Sequence, residues 1–334
     1  MKLSHRERIE RTIECLPVDR PAVSLWRHFP VDDQTPESLA RAVIQFQERF
    51  DFDFIKITSS SSFCVKDFGV LDEWQGNPEG TRQYTKQPIH NQEDWLKIKP
   101  IAVTHGNLGE QLKCIKLIKQ STPVTTPVIQ TIFSPLAQAK NLVGRDNLTA
   151  HMRLYPQMVK EALKVITEVT IQFIQECRSL KIDGFFYAVQ HAQHSLLSMP
   201  EFIEFEKEQD LQILEASRDF WFNVGHIHGT NIMFNEVANY PVQVLNWHDL
   251  ETSPSLDQGQ KVFTKGAVCG GLRQWETLVY ATPDQVKNEA RAAIQRTNGT
   301  RFILGTGCVT PIIAPDGNIF AAREVVEEFS GNNL

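Results

Sequence analysis

The 334-residue chain lacks the features of several common protein classes. It has no basic run, and its 34 lysines and arginines are outnumbered by 40 aspartates and glutamates, for a formal net charge of −6. Non-specific binding to nucleic-acid phosphates needs the opposite balance. No apolar stretch approaches the roughly 20 residues of a membrane span, and no apolar segment follows the charged start. We therefore expect a cytoplasmic protein that binds neither nucleic acid nor membrane.

Recognisable cysteine and nucleotide motifs are also missing. The six cysteines lie far apart without paired spacing, so we expect reduced thiols rather than a disulfide framework. The chain contains no phosphate-binding Walker loop, no Gly-x-Ser-x-Gly elbow and no His-Glu-x-x-His helix. These absences exclude the simplest nucleotidase, hydrolase and metalloprotease interpretations.

A strand-like apolar run followed by a helix-like segment recurs eight times along the chain. Most of the runs lack polar alternation, as expected of parallel strands buried on both faces, and eight strands can close a barrel. No change of composition divides the chain, so we predict one α/β domain over residues 1–334 with a (β/α)8 TIM-barrel fold. The predicted strands are residues 22–26, 52–57, 127–133, 184–189, 222–227, 242–247, 267–270 and 302–304.

One long polar stretch interrupts this alternation. Residues 72–100 are rich in glycine, proline, asparagine and glutamine. Loops of this length in a compact fold usually serve function. We predict an excursion after the second strand that covers the mouth of the barrel.

Histidines cluster at the predicted carboxyl ends of the strands, where the active sites of parallel barrels lie. His226 and His228 are two residues apart on a strand, so both rings point to the same side. Cys308, after the last strand, would complete a three-ligand site of the catalytic zinc type, with His248 or Asp249 as a further ligand or partner. The alternative is that both histidines bond backbone carbonyls and water while Cys308 packs as a small apolar residue.

Other polar residues at strand ends are candidates for catalysis and substrate binding. His191 and His194 follow a strand at i, i+3 spacing and either act on the substrate or lie in a solvated loop. Arg27 and Lys56 end the first two strands and either hold an anionic group or form surface ion pairs. The predicted catalytic residues are His191, His248 and Asp249, and the predicted substrate contacts are Arg27, His28, Lys56, Gln130, Tyr187, His194, Asn246 and Gly270.

Three segments resemble the uroporphyrinogen decarboxylase superfamily. They are the Arg-Glu-Arg helix of residues 6–8 with the Asp-Arg-Pro-Ala-Val of residues 19–23, the Phe-Ser-Pro-Leu of residues 133–136, and the Gly-Thr-Gly-Cys of residues 305–308. The resemblance implies a single (β/α)8 barrel, in agreement with the strand count. It also implies either porphyrinogen decarboxylation or the chemistry of the zinc methyltransferases, which move a methyl group from a corrinoid protein to a thiol.

The residues that the decarboxylases use are poorly matched. Those enzymes resemble one another in an Arg-Gln-Ala-Gly-Arg segment that receives substrate carboxylates, whereas residues 25–30 here contain only Arg27. Their catalytic aspartate follows strand two, where residues 56–61 have no carboxylate. An octa-acid porphyrinogen is therefore a poor fit to this chain.

The methyltransferase pattern is matched with one replacement. Its His-x-Cys at strand five corresponds to His226 and His228, with histidine in place of cysteine, and its later cysteine corresponds to Cys308. The resemblance thus implies metal-dependent methyl transfer on a small molecule, with Zn²⁺ as cofactor and a corrinoid protein as partner, and it leaves a homodimer open. The alternatives are decarboxylation in porphyrin metabolism and a non-catalytic barrel that binds a tetrapyrrole or corrinoid.

Overall fold

A parallel sheet of eight strands, curled into a TIM barrel, forms the centre of the molecule in a computed structural model that describes residues 2–331. Two further strands form a separate antiparallel hairpin. In chain order the strands are β1 (Ala22–Val23), β2 (Ile55–Ile57), β3 (Leu71–Glu73), β4 (Gln83–Lys86), β5 (Val128–Phe133), β6 (Gly184–Val189), β7 (Val224–Ile227), β8 (Val244–Trp247), β9 (Ala267–Leu272) and β10 (Phe302–Thr306).

The barrel strands follow the chain in the order β1-β10-β9-β8-β7-β6-β5-β2, and every neighbouring pair is parallel. Each of the eight predicted runs overlaps one of these strands, so the predicted α/β barrel is confirmed. The predicted and observed ends differ by up to three residues. Pairing starts later than the apolar run at β2 and β7, because the preceding residues enter the barrel as loop.

Helices cover the outside of the sheet. Capping boxes of Ser198 with Glu201 and of Thr282 with Gln285 begin two of these helices. The helices are α1 (His5–Ile13), α2 (Pro36–Phe50), α3 (Gly106–Ser121), α4 (Pro135–Val143), α5 (Arg145–Leu154), α6 (Pro156–Ser179), α7 (Met199–Phe202), α8 (Glu208–Ala216), α9 (Phe234–Val237), α10 (Leu256–Val262), α11 (Pro283–Arg296) and α12 (Asp316–Glu324), with a π-helical turn at Ile203–Lys207 and short 3₁₀ helices at Asp32–Gln34, Lys66–Phe68, Gln92–Lys97 and Val325–Phe329.

Large aromatic side chains fill the barrel interior. The ring centres of Trp26 and Phe186 lie 5.2 Å apart, and those of Phe54 and Phe222 lie 4.9 Å apart. All four side chains are buried. A second apolar layer lies between the sheet and the helices. The barrel interior is therefore a packed core and not an open channel.

The seam between β1 and β2 is closed by loop contacts rather than by a strand ladder. The backbone N–H of Asp53 donates to the carbonyl of Val23 at 2.9 Å, and the Val23 N–H donates back to the Asp53 carboxylate at 2.8 Å. The Ser24 hydroxyl donates to the Phe54 carbonyl at 2.9 Å. The buried Asp53 carboxylate therefore accepts a hydrogen bond that a backbone carbonyl of the neighbouring strand accepts elsewhere in the barrel.

The excursion of residues 72–100 folds back over the mouth of the barrel. The N–H of Ile312 donates to the carbonyl of Pro78, and the indole N–H of Trp275 donates to Glu79. Residues between β3 and β4 consequently line the cavity at the carboxyl ends of the strands. No helix within residues 2–331 is both long and apolar enough to cross a bilayer.

Candidate functional site

A cavity of about 250 Å³ lies at the carboxyl ends of the barrel strands. Five of the residues singled out in the sequence line it, namely His28, Lys56, His226, His228 and Cys308. They come from β2, β7 and the segments that follow β1 and β10, so the barrel brings together positions that are distant in the chain. Side chains at alternate positions of each strand point inwards, which is why this set shares one space.

Four side chains converge at the wall of this cavity. One ligand atom from each of His226, His228, His248 and Cys308 lies within 4.8 Å of all the others. The Sγ of Cys308 is 3.8 Å from Nδ1 of His228. Residue 307 is glycine, and a Cβ there would lie only 2.7 Å from the Cα of His248. The absent side chain thus lets β8 and the turn after β10 approach closely enough to form the cluster.

Asn246 fixes the orientation of the most buried ligand. Its side-chain N–H groups donate to the carbonyls of Cys269 and Thr306 at 3.0 and 2.9 Å, so its Oδ1 is left as an acceptor. That oxygen lies 2.7 Å from Nδ1 of His226, which must therefore carry the proton. The lone pair of the His226 Nε2 then faces the cluster, the arrangement found where a second residue orients a metal-ligating histidine.

The unpartnered atoms of the cluster fit a cation. Nε2 of His226 and Nε2 of His248 are buried without a hydrogen-bond partner, and Nδ1 of His248 lies 3.5 Å from the Glu251 carboxylate. Buried ring nitrogens without partners are costly unless something binds them. Burial and the neighbouring imidazoles lower the pKa of His226, and burial with His248 lowers the pKa of His228 to about 4. Burial also raises the pKa of the Cys308 thiol to about 11. Three neutral imidazoles are ready ligands, whereas the thiol needs a cation to lose its proton.

The family model of uroporphyrinogen decarboxylase matches residues 5–329. The chain belongs to the uroporphyrinogen decarboxylase (URO-D) family. This confirms the resemblance noted in the sequence, over nearly the whole chain.

Some relatives of this URO-D chain are methyltransferases. It is 21% identical to the methylcobamide:CoM methyltransferase MtbA of Methanosarcina mazei, over 97% of this chain and 98% of the relative. A solved methyltransferase from Methanosarcina mazei has a TM-score of 0.86 at 19% identity and covers 99% of this chain and 100% of that chain. A B12-independent methionine synthase from Shewanella sp. W3-18-1 has a TM-score of 0.58 at 12% identity, covering 94% of each chain. These likenesses establish the barrel fold.

Several predicted site residues of this URO-D chain point away from the cavity, because they occupy the outward positions of the strand alternation. The Arg27 guanidinium packs over the Phe46 ring, and the Gln130 amide accepts from Gln111. The remaining outward residues are Tyr187, which donates to Asp210, Asp249, which accepts from the N–H of Gly271, and Gly270, which packs against Asp249. These five residues therefore do not line the cavity, and His248 rather than Asp249 joins the cluster of His226, His228 and Cys308.

The two histidines after β6 lie in different environments. His194 is exposed on the loop and does not line the cavity. His191 is only 6% exposed, and its Nδ1 lies 3.7 Å from the carboxylate of Glu206. A solvated loop therefore describes His194 but not His191.

Replacing Asn246 with alanine is expected to lower metal affinity about 10- to 100-fold, the usual effect of removing a residue that orients a ligand. The His226 ring would lose the acceptor that fixes its tautomer and orientation. Competition against a chromophoric chelator measures the change, and Asn239→Ala, at an exposed asparagine, is the matched control. Equal affinity in Asn246→Ala and wild type would show that the His226–Asn246 bond does not prepare a ligand.

Glu206 is a functional candidate that sequence patterns did not single out. It lies in the π-helical turn Ile203–Lys207, is fully buried, and neither carboxylate oxygen has a hydrogen-bond partner. Burial and the adjacent Asp210 raise the pKa of Glu206 well above its usual value. The Ser134 hydroxyl and Lys140 lie near it and lower its pKa, in the opposite direction. A buried carboxyl group without a hydrogen-bond partner destabilises the folded state, and such groups are found mostly at functional sites.

We expect Glu206→Gln to stabilise the protein at neutral pH, because glutamine does not ionise and so removes the cost of keeping Glu206 protonated in the core, about 1.4 kcal/mol for each unit of the pKa shift. The folded state keeps a proton that the unfolded chain loses above its ordinary pKa, so wild-type stability falls as pH rises from about 4.5. The gain from the substitution should therefore grow across that range. Urea unfolding between pH 4 and 8 measures it, with the exposed Glu204→Gln as control; a gain that shrinks with rising pH would contradict the assignment.

Proposed function

We propose that this URO-D family protein is a metal-dependent enzyme that transfers a methyl group from a corrinoid, carried by a partner protein, to a small thiol. The observation that carries the proposal is the convergence of His226, His228, His248 and Cys308 beside a buried cavity. Similarity to a methylcobamide:CoM methyltransferase along the whole chain supports the reaction class.

The side chains of the cluster would hold Zn²⁺, and one of the four would give way to the substrate thiol, because catalytic zinc keeps one coordination position for its substrate. Three imidazoles and a thiolate are donors that zinc takes in proteins. A bound zinc ion supplies positive charge that lowers the pKa of a thiol beside it. His228 stands where the methyltransferases of the superfamily have cysteine, so this cluster carries one negative charge fewer than theirs. We therefore expect a cluster that stabilises an incoming thiolate through its greater net positive charge.

Lys56 is suited to receive the proton that the thiol loses. Its Nζ lies 4.4 Å from the centre of the Phe186 ring and 3.3 Å from the Thr58 hydroxyl. Burial lowers the pKa of Lys56 to about 7, although Cys308 acts to raise it. The thiol proton would move to Nζ while sulfur keeps the electron pair. That pair then forms the new C–S bond, and the pair of the broken Co–C bond stays on cobalt.

The test uses zinc-loaded protein, methylcobalamin as methyl donor and 3-mercaptopropionate as thiol. The expected result is a methyl thioether, detected by mass spectrometry, together with loss of the methylcobalamin absorption. Cys308→Ser should abolish the product, and Lys56→Met should slow its formation by about 10²-fold, as for loss of a general base. Absence of thioether from fully loaded protein, with either this thiol or its amide, would contradict methyl transfer.

A further inference from the structure

A second cavity, of about 620 Å³, opens beside the metal cluster. We call it the basin, and its main residues are Lys140, Arg145, Gln190, His191 and His228. It shares Lys140, Gln190 and His228 with the cavity of the cluster. A single small molecule can therefore reach the cluster with one end and occupy the basin with the other.

The basin presents positive charge without matching carboxylates. Lys140 Nζ lies 2.7 Å from the neutral Oε1 of Gln190. Arg82, also in the lining, is neutralised by Asp33, whereas the ion pairs found within residues 2–331 include neither Lys140 nor Arg145. Asp146 is the carboxylate in the lining, so two cations face one anion.

The start of helix α5 adds to this charge. Gly144 caps the helix with φ +92° and has no side chain to occupy the first N–H groups. Residues 144–149 line the basin, so the helix presents its positive N-terminal end to that space.

His191 adds a ring nitrogen to the lining of the basin, and the Glu206 carboxyl is a close neighbour of that ring. His191 lines the basin although it is 94% buried, and its Nδ1 has no hydrogen-bond partner. The Glu206 carboxyl lies behind the ring, 3.7 Å from Nδ1. Burial lowers the pKa of His191 to about 3, with Lys140 and His228 acting in the same direction, so the ring is neutral. A hydrogen bond from a protonated Glu206 to Nδ1 would put the proton of the ring on Nε2, where it would be available to the basin.

The π-helical turn explains how an acid comes to lie behind His191. It places Phe205 and Glu206, two consecutive residues, both in the core. Turns of this kind are frequent at functional sites. The Asp210 carboxylate, one turn further along, is occupied by the hydroxyls of Tyr187 and Tyr240, which leaves Glu206 free to face His191.

We propose that the basin binds an anionic oxygen group, such as a carboxylate, sulfonate or phosphate, with Lys140 and His191 as its binding residues and Glu206 as the positioning residue for His191. The group belongs to the small molecule whose thiol reaches the cluster, and only this identity rests on the proposed function. The anion site itself is inferred from the charges and hydrogen-bond donors of the basin. Anion binding at this site is therefore measurable in metal-free protein.

The first experiment titrates inorganic phosphate into metal-free protein by calorimetry. Lys140→Met should weaken binding at least about tenfold, because a charge-assisted hydrogen bond is lost. Lys86→Met, at an exposed lysine outside the basin, should leave it unchanged. His226→Ala should also leave it unchanged, which separates failure of the basin from failure of the metal cluster. Equal phosphate binding by Lys140→Met and wild type would overturn the proposal.

The second experiment compares 3-mercaptopropionate with its neutral amide on zinc-loaded protein. Wild type should bind the acid at least about tenfold more tightly, and Lys140→Met should remove this preference. Glu206→Leu should reduce the preference, while Glu206→Gln, which keeps an N–H donor towards His191, should retain it; a merely structural role for Glu206 would not produce that rescue. If phosphate binds at Lys140 but acid and amide bind equally, the basin does not hold the substrate and the proposal is overturned.

Discussion

Replacing His226 with alanine is expected to lower the affinity for zinc by a factor of roughly 10²–10³. Structural zinc sites bind with about 10–16 kcal/mol in total, so each of four ligands contributes about 3–4 kcal/mol. His226 is the most buried ligand and the one that Asn246 orients. The measurement is zinc affinity by chelator competition, with bound zinc counted by mass spectrometry of the intact protein.

The matched control for this substitution is His194→Ala. His194 is exposed and lies outside the cavity, so its loss should leave zinc affinity within error of wild type. His228→Ala and Cys308→Ser should resemble His226→Ala, because all three side chains belong to the same cluster. Wild-type affinity in His226→Ala would remove this residue from the site.

Replacing Asp53 with asparagine is expected to destabilise the fold by about 3–5 kcal/mol, the cost of breaking a buried ion pair from one side. The Asp53 carboxylate is fully buried, 2.6 Å from a guanidinium nitrogen of Arg8 and 2.8 Å from one of Arg20. Burial opposes ionisation, but Arg20 and Arg8 outweigh it and hold the pKa of Asp53 below its usual value. The substitution leaves two buried cations without their shared anion and weakens the seam between β1 and β2.

Urea unfolding at pH 7 measures this loss, and Asp51→Asn is the matched control two residues away. The Asp51 side chain is 63% exposed in its contact with Arg323, and exposed pairs contribute about 0–1 kcal/mol. Asparagine also tolerates the left-handed conformation of that position, φ +52°. A loss in Asp53→Asn no larger than in Asp51→Asn would show that the seam is held by other contacts.

The barrel was predictable because its signal is local and repeated. Each buried strand is a short apolar run, and each helix carries an apolar stripe, so eight repeats identify the fold without long-range information. The exact strand ends were not predictable. At β2, the residues before Ile55 belong to the seam, and their geometry is set by Asp53 and by contacts with a distant part of the chain.

The site was partly predictable for the same reason. His226 and His228 share one side of a strand, and that spacing is visible in the sequence. The choice of His248 over Asp249 depends on which of two adjacent residues points inwards. The residue that points inwards is set by where β8 begins. A continuous apolar run in the sequence does not show that starting point.

Glu206 and Lys140 belong to helices rather than strand ends, so a search restricted to strand ends misses them. One signal was present for Glu206. It follows Phe202 and Phe205 on the apolar side of a helical segment, where a carboxylate is unusual. For Lys140 no comparable pattern exists, because its approach to Gln190 joins two separate elements of the barrel.

The most direct test of the account is the spectrum of the protein loaded with Co²⁺ in place of zinc. We predict one cobalt per chain, with d–d bands of a four-coordinate ion. We also predict a thiolate-to-cobalt charge-transfer band that disappears in Cys308→Ser. Co²⁺ reports its ligands in this way because its colour depends on donor type and geometry. Failure to bind cobalt, or a spectrum unchanged in Cys308→Ser, would contradict a metal site formed by His226, His228, His248 and Cys308.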